Sequence, residues 1–187
     1  MKRVVVSLAA LVLCACAGGG TARSVKPAAI QAEQGWIAVG DIALVRQTTP
    51  TNCGEAALAT VLGYWKLPAT MTEIEVACPS SSIDDDRLRA GELRDVARAR
   101  GLEAFLLSAE MSDLESQLRK GRPILVGVVR RHGIKQTIKH YEVVVAINPT
   151  TQRIVLLDPS KGWREDSWDG FLSEWTPASK LALVAFR

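Results

Sequence analysis

The chain has 187 residues, of which 48% are hydrophobic and 23% charged, enough apolar material for one ordinary domain and a tight fit for two. Its 23 lysines and arginines stand against 20 acidic residues, a net charge of +3, and without Lys2 and Arg3 the balance falls to 21 against 20. Such near-neutrality argues against a nucleic-acid or polybasic membrane binder, and 14 glycines, 8 prolines and no long polar tract exclude collagen-like, low-complexity and disordered chains.

Lys2 and Arg3 precede the apolar run Val4 to Leu13, which is too short to span a bilayer as a mature helix and reads as a secretory leader. The run closes on Leu13-Cys14-Ala15-Cys16, which resembles a bacterial lipobox. Cys16 is the better acceptor because small Ala15 precedes it, whereas bulky Leu13 precedes Cys14. The expected organisation is a signal peptide over 1–15, lipidated Cys16 with a flexible tether over 16–34, and a domain over 35–187. Ala17 rather than Asp follows the cysteine, which by resemblance to sorted lipoproteins implies the outer membrane, facing the periplasm.

Within the domain, Trp36 to Val45 is expected to be extended, followed by a polar loop from Arg46 to Asn52. A helix follows from Cys53, with Asn52 as N-cap, Glu55 at capping-box spacing and Ala57, Leu58, Val61, Leu62 and Trp65 at helical intervals up to Pro68. Gly91 to Arg100 reads as a second helix, closed by Gly101. Ser112 with Glu115 opens a third, which Gly121 closes. Pro123 to Val129, Tyr141 to Ile147, Ile154 to Leu157 and Leu181 to Phe186 read as strands, with a turn over Asn148 to Thr151. Helices followed by an antiparallel sheet give an α+β class.

A cysteine in the first turn of a helix meets free backbone N–H groups and the positive end of the helix dipole, so Cys53 is placed as a nucleophile with a lowered pKa. Gln47, six residues upstream, could complete an oxyanion hole with the Cys53 amide. His140, at the start of an apolar strand, could act as general base and acid. Asp158 ends the next strand, and a hairpin would bring it beside His140 as orienter. Cys78 is the other mature cysteine, and in an oxidising compartment a Cys53–Cys78 disulfide is the competing reading that would block the nucleophile.

These residues carry a family resemblance. Gln47 to Leu58, Gln-Thr-Thr-Pro-Thr-Asn-Cys-Gly-Glu-Ala-Ala-Leu, resembles the Gln-spacer-Cys-Gly-x-Ala-x-Leu signature of the double-glycine leader (bacteriocin-processing) peptidases, a papain-like group. Ala90 to Val128 resembles the middle of that family, with a Gly-x-Leu helix, a Gly-Leu turn and Gly-Arg-Pro-Ile-Leu-Val. His140 to Gly162 resembles its close, an Asp-Pro-x-x-Gly loop included. The resemblance, over about residues 38 to 178, implies a papain-like fold with N-terminal helices packed on a C-terminal antiparallel sheet. It implies cysteine-peptidase activity with Gln47 in the oxyanion hole, Cys53 as nucleophile, His140 as base and Asp158 as orienter, a peptide or protein substrate, and neither metal nor organic cofactor.

Two departures stand out. The family commonly has Asp before the nucleophile, where Asn52 stands here. Its best-known members are domains of peptide-exporting ABC transporters, whereas this sequence shows no ATPase motif Gly-x-x-x-x-Gly-Lys-Ser/Thr. A leader ending in double glycine is therefore the family habit rather than an assured substrate, and service to a secretion or surface-polymer system is an expectation from location alone. Other classes remain open: a catalytically silent binding module for an export substrate, or another Cys-His-Asp acyl-transfer enzyme such as a transglutaminase-like protein or a cell-wall amidase. Among the remaining polar residues, His132 is expected in a solvated basic loop. Trp163, Trp168 and Trp175 are expected to pack, and Asp84-Asp85-Asp86 lacks the pattern of a calcium loop.

Overall fold

The computed structural model describes residues 21–78, 86–132 and 136–187. The elements run β1 (Arg23–Ser24), α1 (Pro27–Ala32), β2 (Ile37–Ala38), α2 (Cys53–Tyr64), α3 (Met71–Ala77), α4 (Asp86–Ala99), β3 (Glu103–Ser108) and α5 (Met111–Arg119). They continue with β4 (Ile124–His132), β5 (Gln136–Asn148), β6 (Arg153–Asp158), β7 (Gly162–Ser167), α6 (Trp168–Trp175), a 3-10 turn (Thr176–Ala178) and β8 (Leu181–Phe186).

One antiparallel sheet in the order β1-β7-β6-β5-β4-β8-β3 forms the frame. Tyr141 to Asn148 on β5 are buried without a break, as suits a strand covered on both faces. β4 pairs with β5 only as far as Val144, where the β5–β6 register shifts, and β2 takes over alongside Ala146 and Ile147.

Against this sheet lies α2, whose residues from Cys53 to Leu62 are all buried. A helix of small and, apart from Glu55 and Thr60, apolar residues around its circumference is enclosed on every side, here by β5, β4, α3 and α4. Gly54 sets the depth of the contact: a Cβ there would come within 3.1 Å of Leu93 and 3.2 Å of the Tyr141 ring.

The α+β class is as expected, but several elements were not legible. α3 and β3 fall in stretches with no clear period. β7 reads Gly-Trp-Arg-Glu-Asp-Ser, and its charged run looks like a loop, yet Arg164, Glu165 and Asp166 are buried and held by ion pairs. α6 begins where Ser167 accepts a hydrogen bond from the Gly170 N–H at 3.0 Å. α4 starts at Asp86, five residues before expectation, and α5 at Met111, where Asp113 accepts from the Glu110 N–H at 2.8 Å. Trp163 and Trp168 are partly buried and Trp175 wholly so, stacked on Phe171.

The expected tether needs correction over the part that is described. β1 pairs with β7, Arg23 meets Glu165 at 3.0 Å, and the Val25 N–H donates to the Trp163 carbonyl at 3.2 Å. Pro27 opens α1, which buries Ile30, while Glu33 pairs with Arg153 at 3.0 Å. Residues 21–34 therefore pack on the domain, because one apolar side chain and alternating charges find partners that a scan for periodicity does not register. Cys14, Cys16, Asp84 and Asp85 lie outside the described residues, as do the side chains of Asp86 and His132.

Candidate active site

Cys53 is the first residue of α2 and is 7% exposed. Asn52 occupies the N-cap position as expected, but its side chain does not cap the helix. Its Oδ1 instead accepts from the backbone N–H groups of Thr48 and Thr49, both at 3.1 Å, and Nδ2 donates to Thr48 Oγ1 and Glu75 Oε1. The expected capping box is absent for a second reason, since Glu55 turns to Arg89 and forms a buried ion pair. Arg89 also donates to the Thr51 carbonyl at 3.2 Å. The first turn of α2 thus keeps its N–H groups free of a side-chain cap, and the charge of Glu55, two residues after the thiol in that same turn, is neutralised.

His140, on β5, is 7% exposed and its Nε2 lies 2.9 Å from Oδ1 of Asp158, at the end of β6. The hairpin that joins them turns at Asn148, whose Oδ1 accepts from the Thr150 and Thr151 N–H groups, both at 3.2 Å. It pairs Val143 with Leu157, one residue short of Asp158. With Nε2 engaged, Nδ1 is the nitrogen left for the hydrogen bond to Cys53. Burial works against a charged His140, but the bond to Asp158 and the bond and charge of Cys53 outweigh it and lift the imidazole to about 9.

Asp158 is completely buried and amply satisfied. Its Oδ1 also accepts from Ser160 N–H (2.7 Å), Ser160 Oγ (2.6 Å) and Lys161 N–H (3.2 Å), and Oδ2 accepts from Arg130 Nη1 at 2.7 Å. Burial alone would raise its carboxyl, but the bonds from His140 and Ser160 and the charge of Arg130 drive it far below the usual carboxylate range.

Gln47 sits on a loop laced to the one that follows Asp158. Its N–H donates to the Pro159 carbonyl at 3.2 Å, and Arg46 donates to the Ser160 carbonyl at 3.0 Å. Gly162 closes that second loop at φ +108°, a conformation that suits glycine. The Gln47 amide donates one hydrogen to the Thr49 carbonyl at 2.8 Å and has a second N–H to offer.

The structure therefore brings Cys53, His140 and Asp158 into one hydrogen-bonded chain and ties the Gln47 loop to it. Cys53 and Cys78 are both free thiols, so the competing disulfide is not formed. Burial first, then the charges of Glu55 and Glu92, push the Cys78 thiol up to about 12.

Sequence reasoning missed Arg130 and Glu142. Arg130 looked like part of a basic loop, but it stands opposite Ile138 on the β4–β5 ladder, pointing to the same side as His140. It bridges Asp158 to Glu142, which is fully buried and also lies 3.4 Å from Arg164. Burial raises the Glu142 carboxyl above its ordinary range, and the charges of Arg164 and Arg130 offset only part of that rise. Alternation along β5 does place Glu142 with His140, and that was the one available signal. His140, Glu142 and Asp158 have ligand-type atoms within 4.8 Å of one another, but two guanidinium groups already supply the cationic partners that a metal would provide.

The Peptidase C39 family matches residues 41–185 of the chain. Among solved structures, the double-glycine motif protease from an AMS/PCAT transporter in complex with its leader peptide is 22% identical, covering 79% of this chain and 93% of its own, with a TM-score of 0.60. The peptidase domain of Streptococcus ComA is 23% identical over 79% of this chain and all of its own, with a TM-score of 0.62. A C39-like peptidase from Bacillus anthracis is 13% identical over 81% and 98%, with a TM-score of 0.66. No match is found among curated proteins. The neighbours confirm the papain-like fold. With the match spanning most of the domain, the chain belongs to the Peptidase C39 family and is a cysteine peptidase.

Proposed function

We propose that this peptidase is a lipid-anchored enzyme of the cell envelope that cleaves a peptide bond after small residues such as Gly-Gly through a thioester acyl-enzyme. The observation that carries the chemistry is the chain from Cys53 through His140 to Asp158, with Nε2 of the imidazole fixed at 2.9 Å. In this reading His140 takes the Cys53 proton and the thiolate attacks the scissile carbonyl carbon. The oxyanion is received by the Cys53 N–H and by the Gln47 amide. His140 then returns the proton to the leaving amine as the C–N bond breaks. Water, deprotonated by His140, attacks the thioester and releases the acid and the free thiol. Asp158 keeps the ring in its orientation throughout.

The substrate class is supported by the fold neighbour bound to a leader peptide. The anchor is supported by the lipobox-like Leu13-Cys14-Ala15-Cys16, and the outer-membrane address, facing the periplasm, by Ala17. The test is turnover of a fluorogenic peptide panel ending in Gly-Gly, Ala-Gly and Leu-Leu by the full chain in detergent. Cleavage of the small-residue peptides that disappears in Cys53→Ala supports the reading. No cysteine-dependent turnover, or a preference for Leu-Leu, overturns it. Incorporation of labelled palmitate that Cys16→Ser abolishes, with recovery in the outer-membrane fraction, checks the anchor.

A further inference from the structure

Asn52 is 3% exposed and spends all of its hydrogen-bonding capacity away from the helix it precedes. Two backbone N–H groups, those of Thr48 and Thr49, converge on one side-chain atom, so that atom is the carbonyl oxygen. The NH2 group consequently faces Thr48 Oγ1 at 2.9 Å and the Glu75 carboxylate at 2.8 Å. Thr48 and Thr49 directly follow Gln47, and the Thr49 carbonyl is the acceptor that holds the Gln47 amide. The turn that carries Gln47 is thereby bolted to Asn52, the N-cap residue just before the catalytic helix, and through it to Glu75 on α3.

We propose that Asn52 is a positioning residue for the oxyanion donor, acting on Gln47 through the Thr48–Thr49 turn, and that Glu75 is what makes asparagine necessary here. An aspartate could still accept from both threonine N–H groups and from the Thr48 hydroxyl. It has no hydrogen for Glu75, however, and would place a second negative charge against that carboxylate. With glutamine at position 75 the lost bond is regained in reversed polarity, the glutamine amide donating to the aspartate, while the Thr48 and Thr49 N–H groups donate as before. The proposal rests on the reading of Gln47 as oxyanion donor.

Two probes of the full chain in detergent separate the hole from the nucleophile. A peptide aldehyde ending in Gly-Gly adds Cys53 sulfur to its carbonyl carbon while the thiol proton passes to His140, so it needs the oxyanion hole. Iodoacetamide alkylates Cys53 without it. Asn52→Asp is expected to weaken aldehyde inhibition by about 10- to 100-fold while changing the alkylation rate at alkaline pH by no more than about twofold. Asn52→Asp with Glu75→Gln regains inhibition to within about threefold of the unaltered chain. Glu75→Gln alone changes neither, since the new amide still accepts from Asn52.

Inhibition unchanged in Asn52→Asp overturns the proposal. So does a parallel loss of alkylation, which would mark a structural role, and so does failure of Glu75→Gln to rescue. Gln47→Ala distinguishes the two levels: if it leaves aldehyde inhibition intact, the oxyanion assignment itself falls. If it weakens inhibition and Asn52→Asp does not, only the positioning role is lost.

Discussion

Arg130 Nη1 lies 2.7 Å from Oδ2 of Asp158, on the carboxylate oxygen that His140 does not use. The same guanidinium pairs with the fully buried Glu142, so one cation holds the orienting carboxylate and satisfies a second buried charge. Arg130→Met is expected to cost about 3–5 kcal/mol, because Glu142 loses a partner where water cannot replace it. Adding Glu142→Gln removes the buried charge that Arg164 is left to hold alone and should restore most of the thermal stability. It should not restore turnover, since Asp158 Oδ2 remains unbonded. Melting curves and kcat on the single and double variants check this, and joint recovery of both would reduce Arg130 to a purely structural part.

The elevated His140 sets a pH window. Its folded value of about 9 lies above the ordinary 6.5, so protonation of the ring favours the folded state. That contribution is complete below 6.5 and fades as pH rises to about 9. The melting-temperature gap between the unaltered chain and His140→Gln should accordingly be wider at about pH 6 than at about pH 9.5. Turnover should fall on the alkaline side as the imidazolium that protonates the leaving amine is lost. A gap independent of pH would show that the ring is not charged in the folded enzyme.

Cys78 provides an internal reference for the nucleophile. With its thiol pushed up to about 12, almost none of it is thiolate near neutrality. Iodoacetamide at about pH 7 should therefore modify Cys53 and spare Cys78, and both should react once the chain is unfolded. Peptide mass spectrometry resolves the two sites. Equal labelling of the folded chain would contradict the raised Cys78 thiol, and a Cys53–Cys78 crosslinked peptide would revive the disulfide.

Much of the site was legible because its chemistry is local. A cysteine just after an asparagine that precedes a helix, a histidine just before a Val-rich run and an Asp-Pro loop after the next strand are each visible in a few residues. The hairpin turn at Asn148 suffices to bring the last two together. What escaped notice depends on distant partners. Asn52 reads as a cap and Glu55 as its reciprocal partner, but Glu75 and Arg89, 23 and 34 residues away, claim those side chains. Arg130 and the charged run of β7 looked solvated because their counter-charges lie on other strands and on α6. The strap over residues 21–34 was missed in the same way, since its ion pairs with Glu165 and Arg153 span more than a hundred residues.

Gly162 joins two of these pieces, which makes it a sensitive position. At φ +108° a β-carbon is strained, and it would stand 2.9 Å from Nη2 of Arg46. That Nη2 ends a flexible side chain whose other nitrogen, Nη1, donates to the Ser160 carbonyl, one of two links between the Gln47 loop and the Asp158 loop, so a shift of the guanidinium disturbs that link. Gly162→Ala is expected to cost about 1–3 kcal/mol for the backbone alone. It should lower kcat more than it raises KM, because the displaced loop carries Gln47. Arg46→Ala in the same chain removes the clash but not the backbone strain, so it should recover part of the stability and none of the kcat. Chemical denaturation and steady-state kinetics on the three variants provide the check. A Gly162→Ala enzyme with unaltered kcat would show that the two loops hold their relation without this contact.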